Sequence, residues 1–105
     1  MQNALAAHGA GSKPFWFTEY GVPTGGPFGA VTPDESGTIY QHYYDAFDRL
    51  TAQGIKLGPM FFWTLHDIPQ YQKANTIEGW EGIYDLNGKP KASVAVIRAR
   101  AAKIE

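Results

Sequence analysis

The residues with chemistry to offer stand at the ends of two apolar runs. Glu19 closes the run Phe15-Trp16-Phe17-Thr18, and Trp63, His66 and Asp67 close a second run that begins at Leu57. A carboxylate can attack an electrophilic carbon or carry a proton, an indole can stack on a flat apolar face, and His and Asp side chains bind hydroxyls. Strict alternation along a strand places Phe15, Phe17 and Glu19 on one face and Trp16, Thr18 and Tyr20 on the other, which makes Glu19 a charge at the rim of an apolar face. Each candidate also has a plainer reading. Glu19 would then pair with a lysine or arginine at the strand end, Trp63 would share core packing with Phe61 and Leu65, His66 would serve a local hydrogen bond, and Tyr20 would pack. Glu78 and Glu81 could offer an acid, but Gly79 and Gly82 beside them suggest a solvated turn, in which Trp80 is the better candidate for lining a cleft.

Other chemistries lack their residues. His8, His42 and His66 are far apart and have no metal-ligand spacing, so no metal is expected, and glycines 25, 26 and 29 neither follow the dinucleotide pattern nor precede a lysine. No cofactor is implied.

These candidates need elements to hold them. Five of the seven residues from Phe15 to Gly21 are aromatic or β-branched, and Pro14 and Gly21-Val22-Pro23 punctuate the run, so it reads as a strand. Upstream, Met1, Ala4 and Leu5 fit one helical face that His8-Gly9-Ala10-Gly11 stops, as in the tail of a helix. After the strand, 24–31 is a Gly- and Pro-rich loop long enough to line a site. Thr32-Pro33-Asp34-Glu35 is a capping box with Pro at the first helical position, and Ile39, Tyr43, Ala46, Phe47 and Leu50 then recur at helical spacing up to Gly54. Glu35 is therefore read as a cap. A second strand is expected over 57–65, a long loop over 68–82, a tight turn at Asp85-Leu86-Asn87-Gly88 with Asn-Gly at positive φ, and a last helix over 92–104. Strands alternating with helices, with long loops only after the strands, form the pattern of βα units in a parallel sheet. Two such strands do not make a stable sheet alone, and ligands collect at their carboxyl ends, as at the top of a (β/α)8 barrel.

Composition narrows the partners. At 105 residues there is room for one domain, and three Trp, six Tyr and six Phe promise a packed core. Nine basic and ten acidic residues without runs of like sign leave no footprint for nucleic acid or an anionic membrane, and no apolar run is long enough for a membrane span. The chain has no cysteine, which removes disulfides without fixing a compartment, and its amino end lacks the pattern of a secretory signal.

The segment Lys13-Pro14-Phe15-Trp16-Phe17-Thr18-Glu19-Tyr20-Gly21 resembles the seventh-strand nucleophile motif of clan A glycoside hydrolases, which are retaining (β/α)8-barrel enzymes. Phe61-Phe62-Trp63 resembles the eighth strand with its sugar-platform tryptophan, and the segment from Gly82 to Lys91 resembles the lead into the last helix. Families 5 and 39 have the nearest patterns, although Thr18 stands where family 5 usually has glycine and Ala92 where a second proline is common. The resemblance implies that residues 1–105 are the carboxyl-terminal two βα units, strands 7 and 8 with their helices, of one α/β TIM-barrel catalytic domain. It further implies cellulase-like hydrolysis of a β-linked polysaccharide or glycoside, with Glu19 as nucleophile, Trp63 as platform, and Tyr20, His66, Asp67 and Trp80 as substrate-binding candidates. A retaining enzyme needs a second carboxyl group about 5 to 5.5 Å from the nucleophile. The resemblance puts that acid at the end of the fourth strand, before residue 1, and this sequence has no Asn-Glu pair of that kind. The chain alone is accordingly expected to be inactive, with the rest of the barrel or a further copy as partner, and the full-length family points to an extracellular setting. Two other readings remain: a non-enzymatic carbohydrate-binding or assembly module derived from such a barrel, and a barrel enzyme of another reaction type.

Overall fold

The computed structural model describes residues 2–104, which form an α/β unit with four helices and a two-stranded parallel sheet. In chain order these are α1 (Gln2–Ala7), β1 (Phe15–Tyr20), α2 (Glu35–Ala52), β2 (Leu57–Phe62), α3 (Pro69–Lys73) and α4 (Ser93–Ile104), with a 3-10 turn at Ile77–Trp80 before α4. Met1, expected on the apolar face of α1, lies outside the described residues.

Helix α2 starts as its sequence requires. The Thr32 hydroxyl accepts from Glu35 N–H at 3.1 Å and the Glu35 carboxylate accepts from Thr32 N–H at 2.8 Å, the reciprocal pair of a capping box. Glu35 is thus a cap in fact. From there α2 lays Tyr40, Tyr44 and Phe47 onto the sheet, where they form the buried core with Ile83 and with Val94 of α4. Phe17 meets Phe47 with ring centroids 4.8 Å apart, and the Tyr20 ring is surrounded by Tyr40, Tyr43, Tyr44 and Phe47 at 5.7 to 6.2 Å. Each such ring removed from water contributes on the order of 1.5 to 3 kcal/mol, so this aromatic cluster is what holds the crossover helix on the strands.

Strict alternation does not survive in β1. Its pairs with β2 are Phe15 with Leu57, Phe17 with Met60 and Tyr20 with Phe62, so a residue is gained on β2 in the first interval and on β1 in the second. The slips cancel over the strand, and the first falls at Gly58-Pro59, where proline has no N–H for the ladder. Because of the second, Phe17 and Tyr20 both face α2, and Glu19 does not share a face with Phe17 as period two predicts. The helix-covered side of the sheet takes Phe17, Tyr20, Leu57, Met60 and Phe62. Its other side is open: Trp16, Phe61 and Leu65 are more than half exposed and Trp63 is 37 % exposed.

Two expectations beyond β2 change. The strand ends at Phe62 instead of Leu65, because after Trp63 the chain changes partner: Thr64 N–H donates to the Glu81 carbonyl and Ile83 N–H to the Thr64 carbonyl, both at 3.0 Å. The 68–82 segment is not a plain loop. Pro69 at the first helical position starts α3, and Asn75 at φ 54° ends that turn and leads to the 3-10 turn. In the turn at 85–88 only Gly88 has positive φ; the Asp85 carboxylate organises it by accepting from the backbone N–H of Asn87 and Lys89 at 2.8 and 2.9 Å.

Candidate active site

Three segments meet at the carboxyl ends of the strands. Trp63 N–H donates to the Tyr20 carbonyl at 2.7 Å, which seats Trp63 beside the Glu19-Tyr20 end of β1, and the next residue, Thr64, is joined to Glu81. Glu19 is exposed, and Trp63 is partly exposed. This places a carboxylate near the end of β1 and an accessible aromatic just beyond the end of β2, an arrangement suited to holding a polar ring with an apolar face. Glu81 is half-buried, and its carboxyl is pushed above the usual glutamate range, first by burial and then by the negative charges of Glu78 and Glu19. Glu78 is exposed, and hydrogen bonds from its own backbone and from Thr76 hold its carboxyl lower than usual.

The other expected site residues divide. His66 is exposed and stacks obliquely on Tyr84, with ring centroids 5.5 Å apart, so it is available at the site's edge. Tyr20 is turned away: its ring is in the α2 cluster and its hydroxyl is 3.1 Å from that of Tyr44, so the packing reading of its parity describes it and substrate contact does not. Burial and the bonded neighbour push the Tyr44 hydroxyl far up, which keeps it neutral.

Asp67 is also unavailable. Its carboxylate is buried, 2.7 Å from the Lys91 ammonium, and accepts from Gly82 N–H at 2.9 Å, so it acts as an internal anchor and not as a hydroxyl ligand. Lys91 further donates to the Trp80 carbonyl at 3.0 Å. Sequence spacing gave no hint of Lys91, because nothing local links positions 67 and 91. Trp80 is half-buried as a wedge: the backbone of Gly25 and Gly26 lies against its indole so closely that a Cβ at Gly25 would collide with the ring. Thr24 completes the anchor by donating from its N–H to the Trp80 carbonyl at 3.1 Å. The glycine-rich loop therefore is fixed over Trp80, and the side of that indole facing the loop is closed to a ligand.

A scan against protein-family models and a search of curated proteins find no match. Among solved structures the chain is similar to part of a Faecalibacterium prausnitzii beta-glucuronidase, with a TM-score of 0.66 and 19 % identity over 98 % of this chain. The likeness is one of fold. The chain spans 18 % of the length of that protein. It is thus an α/β unit whose fold is shared with part of a glycoside hydrolase.

Proposed function

We propose that this chain contributes the last two βα units of a (β/α)8 glycoside hydrolase barrel of the retaining type, with Glu19 as nucleophile and Trp63 as sugar platform. The observation that carries the proposal is the Trp63 N–H to Tyr20 carbonyl bond, which holds the backbone of Trp63 beside the Glu19-Tyr20 end of β1, with both Glu19 and Trp63 exposed. The fold shared with a beta-glucuronidase supports it. In the proposed reaction the Glu19 carboxylate attacks the anomeric carbon while an acid protonates the departing glycosidic oxygen, and water then hydrolyses the glycosyl ester. The acid comes from the remainder of the barrel, as does the cover for the open side of the sheet. The substrate is a β-linked glycoside or polysaccharide.

The coding sequence upstream of codon 1 tests this reading. Six further βα units with an Asn-Glu pair closing the fourth strand are expected; an unrelated domain there contradicts it. On the chain alone, aryl glycosides, β-glucan and β-xylan should show no turnover that Glu19→Gln abolishes, and clear Glu19-dependent turnover would refute the outside acid. The exposed Trp16, Phe61 and Leu65 also suit a carbohydrate-binding or assembly module. A monodisperse oligomer that binds sugar without hydrolysis would favour that second reading.

A further inference from the structure

Glu81 has surroundings unlike those of the other acidic groups. Its backbone is held from both sides: the Trp80 carbonyl accepts from Thr24 N–H at 3.1 Å and from Lys91 at 3.0 Å, while Gly82 N–H is bound by the Asp67 carboxylate at 2.9 Å. Gly82 also lies so close to the His66–Asp67 backbone that a Cβ would collide with it. The buried Asp67–Lys91 pair thus fixes the position of Glu81 without touching its side chain.

That position is the flank of Trp63 opposite Glu19. The Trp63-Thr64 segment bonds through Trp63 to Tyr20 on one side and through Thr64 to Glu81 on the other. Adjacent hydrogen-bonded segments lie about 4.8 Å apart, which sets the backbones of the two glutamates at roughly 10 Å, close enough for both side chains to reach a ring resting on Trp63. Close to Gly21, which follows the end of β1, is an orphan donor. The Tyr40 hydroxyl is buried, has no hydrogen-bond partner among the described residues, and lies 3.9 Å from where a Cβ on Gly21 would stand, a position that would itself collide with the Trp63 carbonyl.

The charges around Glu81 are of one sign. Glu19 from β1 and Glu78 from the 3-10 turn face it, Tyr40 and Tyr43 from α2 are held neutral by burial and by its own charge, and Lys91 from the segment before α4 is committed to Asp67. A half-buried carboxyl among like charges takes up its proton more readily than an exposed one, and once neutral it both donates to and accepts from hydroxyls.

Resting on the glycoside reading above, we propose that Glu81 is a second substrate-binding carboxyl of this site, donating a hydrogen bond to a hydroxyl of a neutral sugar from the side of Trp63 opposite Glu19. Uronides are disfavoured, because an anionic sugar would meet the like charges of Glu19 and Glu78 that already act on Glu81. The site is selective for uncharged β-glycosides.

The test is a titration of the chain with a neutral β-linked gluco-oligosaccharide and with its uronic counterpart, read on the Trp63 indole N–H resonance. Neutral sugar should bind about tenfold more weakly at pH 8 than at pH 4, whereas Glu81→Gln, which stays neutral, should bind at both pH values nearly as the wild type does at pH 4. Glu81→Ala should lose about tenfold at pH 4, and the uronide should bind about tenfold more weakly than the neutral sugar. Wild-type pH dependence in Glu81→Gln, or undiminished binding by Glu81→Ala, overturns the proposal. If Trp63→Ala costs no affinity, or no sugar moves the Trp63 resonance, it is the glycoside reading itself that fails. A carboxyl carbon titration of Glu81 in wild type and Glu19→Gln supplies a readout without sugar: its midpoint should fall in the variant, and an unchanged midpoint contradicts the pairing.

Discussion

Replacing Lys91 with Met should be among the most damaging single changes to this protein. The side chains of Lys91 and Asp67 are 3 % and 5 % accessible and 2.7 Å apart, so removing the cation leaves a buried carboxylate with Gly82 N–H as its remaining donor. Breaking a buried pair from one side costs about 3 to 5 kcal/mol, because the surviving charge keeps its desolvation penalty and loses its counter-ion. With total stabilities of about 5 to 15 kcal/mol, that is a large fraction of the whole. At a urea dependence of about 2 kcal/mol per molar, the unfolding midpoint should drop by roughly 2 M. Asp67→Asn should cost a similar amount, and the double variant should cost clearly less than the two together, since each loss counts the same pair. Asp48 supplies the control: it binds Arg100 at 2.7 Å but is 60 % accessible, and Asp48→Asn should cost no more than about 1 kcal/mol. Urea denaturation followed by circular dichroism measures all four. A loss below about 1 kcal/mol for Lys91→Met, indistinguishable from the exposed pair, would refute the burial reasoning.

Two other variants probe the site's supports. Burial and the neighbouring Glu78 and Glu19 raise the folded-state titration of Glu81. Stability that is full below the ordinary glutamate value is therefore lost as pH rises through the higher folded value; Glu81→Gln should match wild type in urea near pH 3 and exceed it at pH 7, and a variant no more stable at pH 7 contradicts the shift. Gly25→Ala should push the loop off the Trp80 indole, changing tryptophan emission and the protease sensitivity of 24–31; unaltered emission and cleavage would show that the loop does not rest there.

What could be read from the sequence is what local physics determines. The Thr32 to Glu35 capping box, the aromatic run of β1 and the helical character of α2 depend on neighbours a few residues away, and they stand as expected, whereas the buried face of α2 is turned from the expected Ile39, Tyr43, Ala46, Phe47 and Leu50 to Tyr40, Tyr44 and Phe47, because the helix meets Phe17 and Tyr20 of β1 there. The compensating slips of the ladder were not foreseeable, since they depend on how Gly58-Pro59 meets Phe15 to Phe17 across the sheet. Likewise Asp67 looked like a ligand because its partner Lys91 is 24 positions away, and Glu81 looked solvated because Gly79 and Gly82 serve as close-packing sites there and not as a free turn. Pro69 was the overlooked local signal for α3.

The central claim is that carbohydrate binds at the carboxyl ends of the two strands, where Glu19 and Trp63 are exposed. Backbone amide shifts of the chain, recorded during titration with a neutral β-linked oligosaccharide, test it directly. The account predicts changes concentrated at 19–21, 63–66 and 80–83, with α4 and the amino ends of the strands unmoved. Changes confined to the helix-covered side, or none at millimolar sugar, would contradict it.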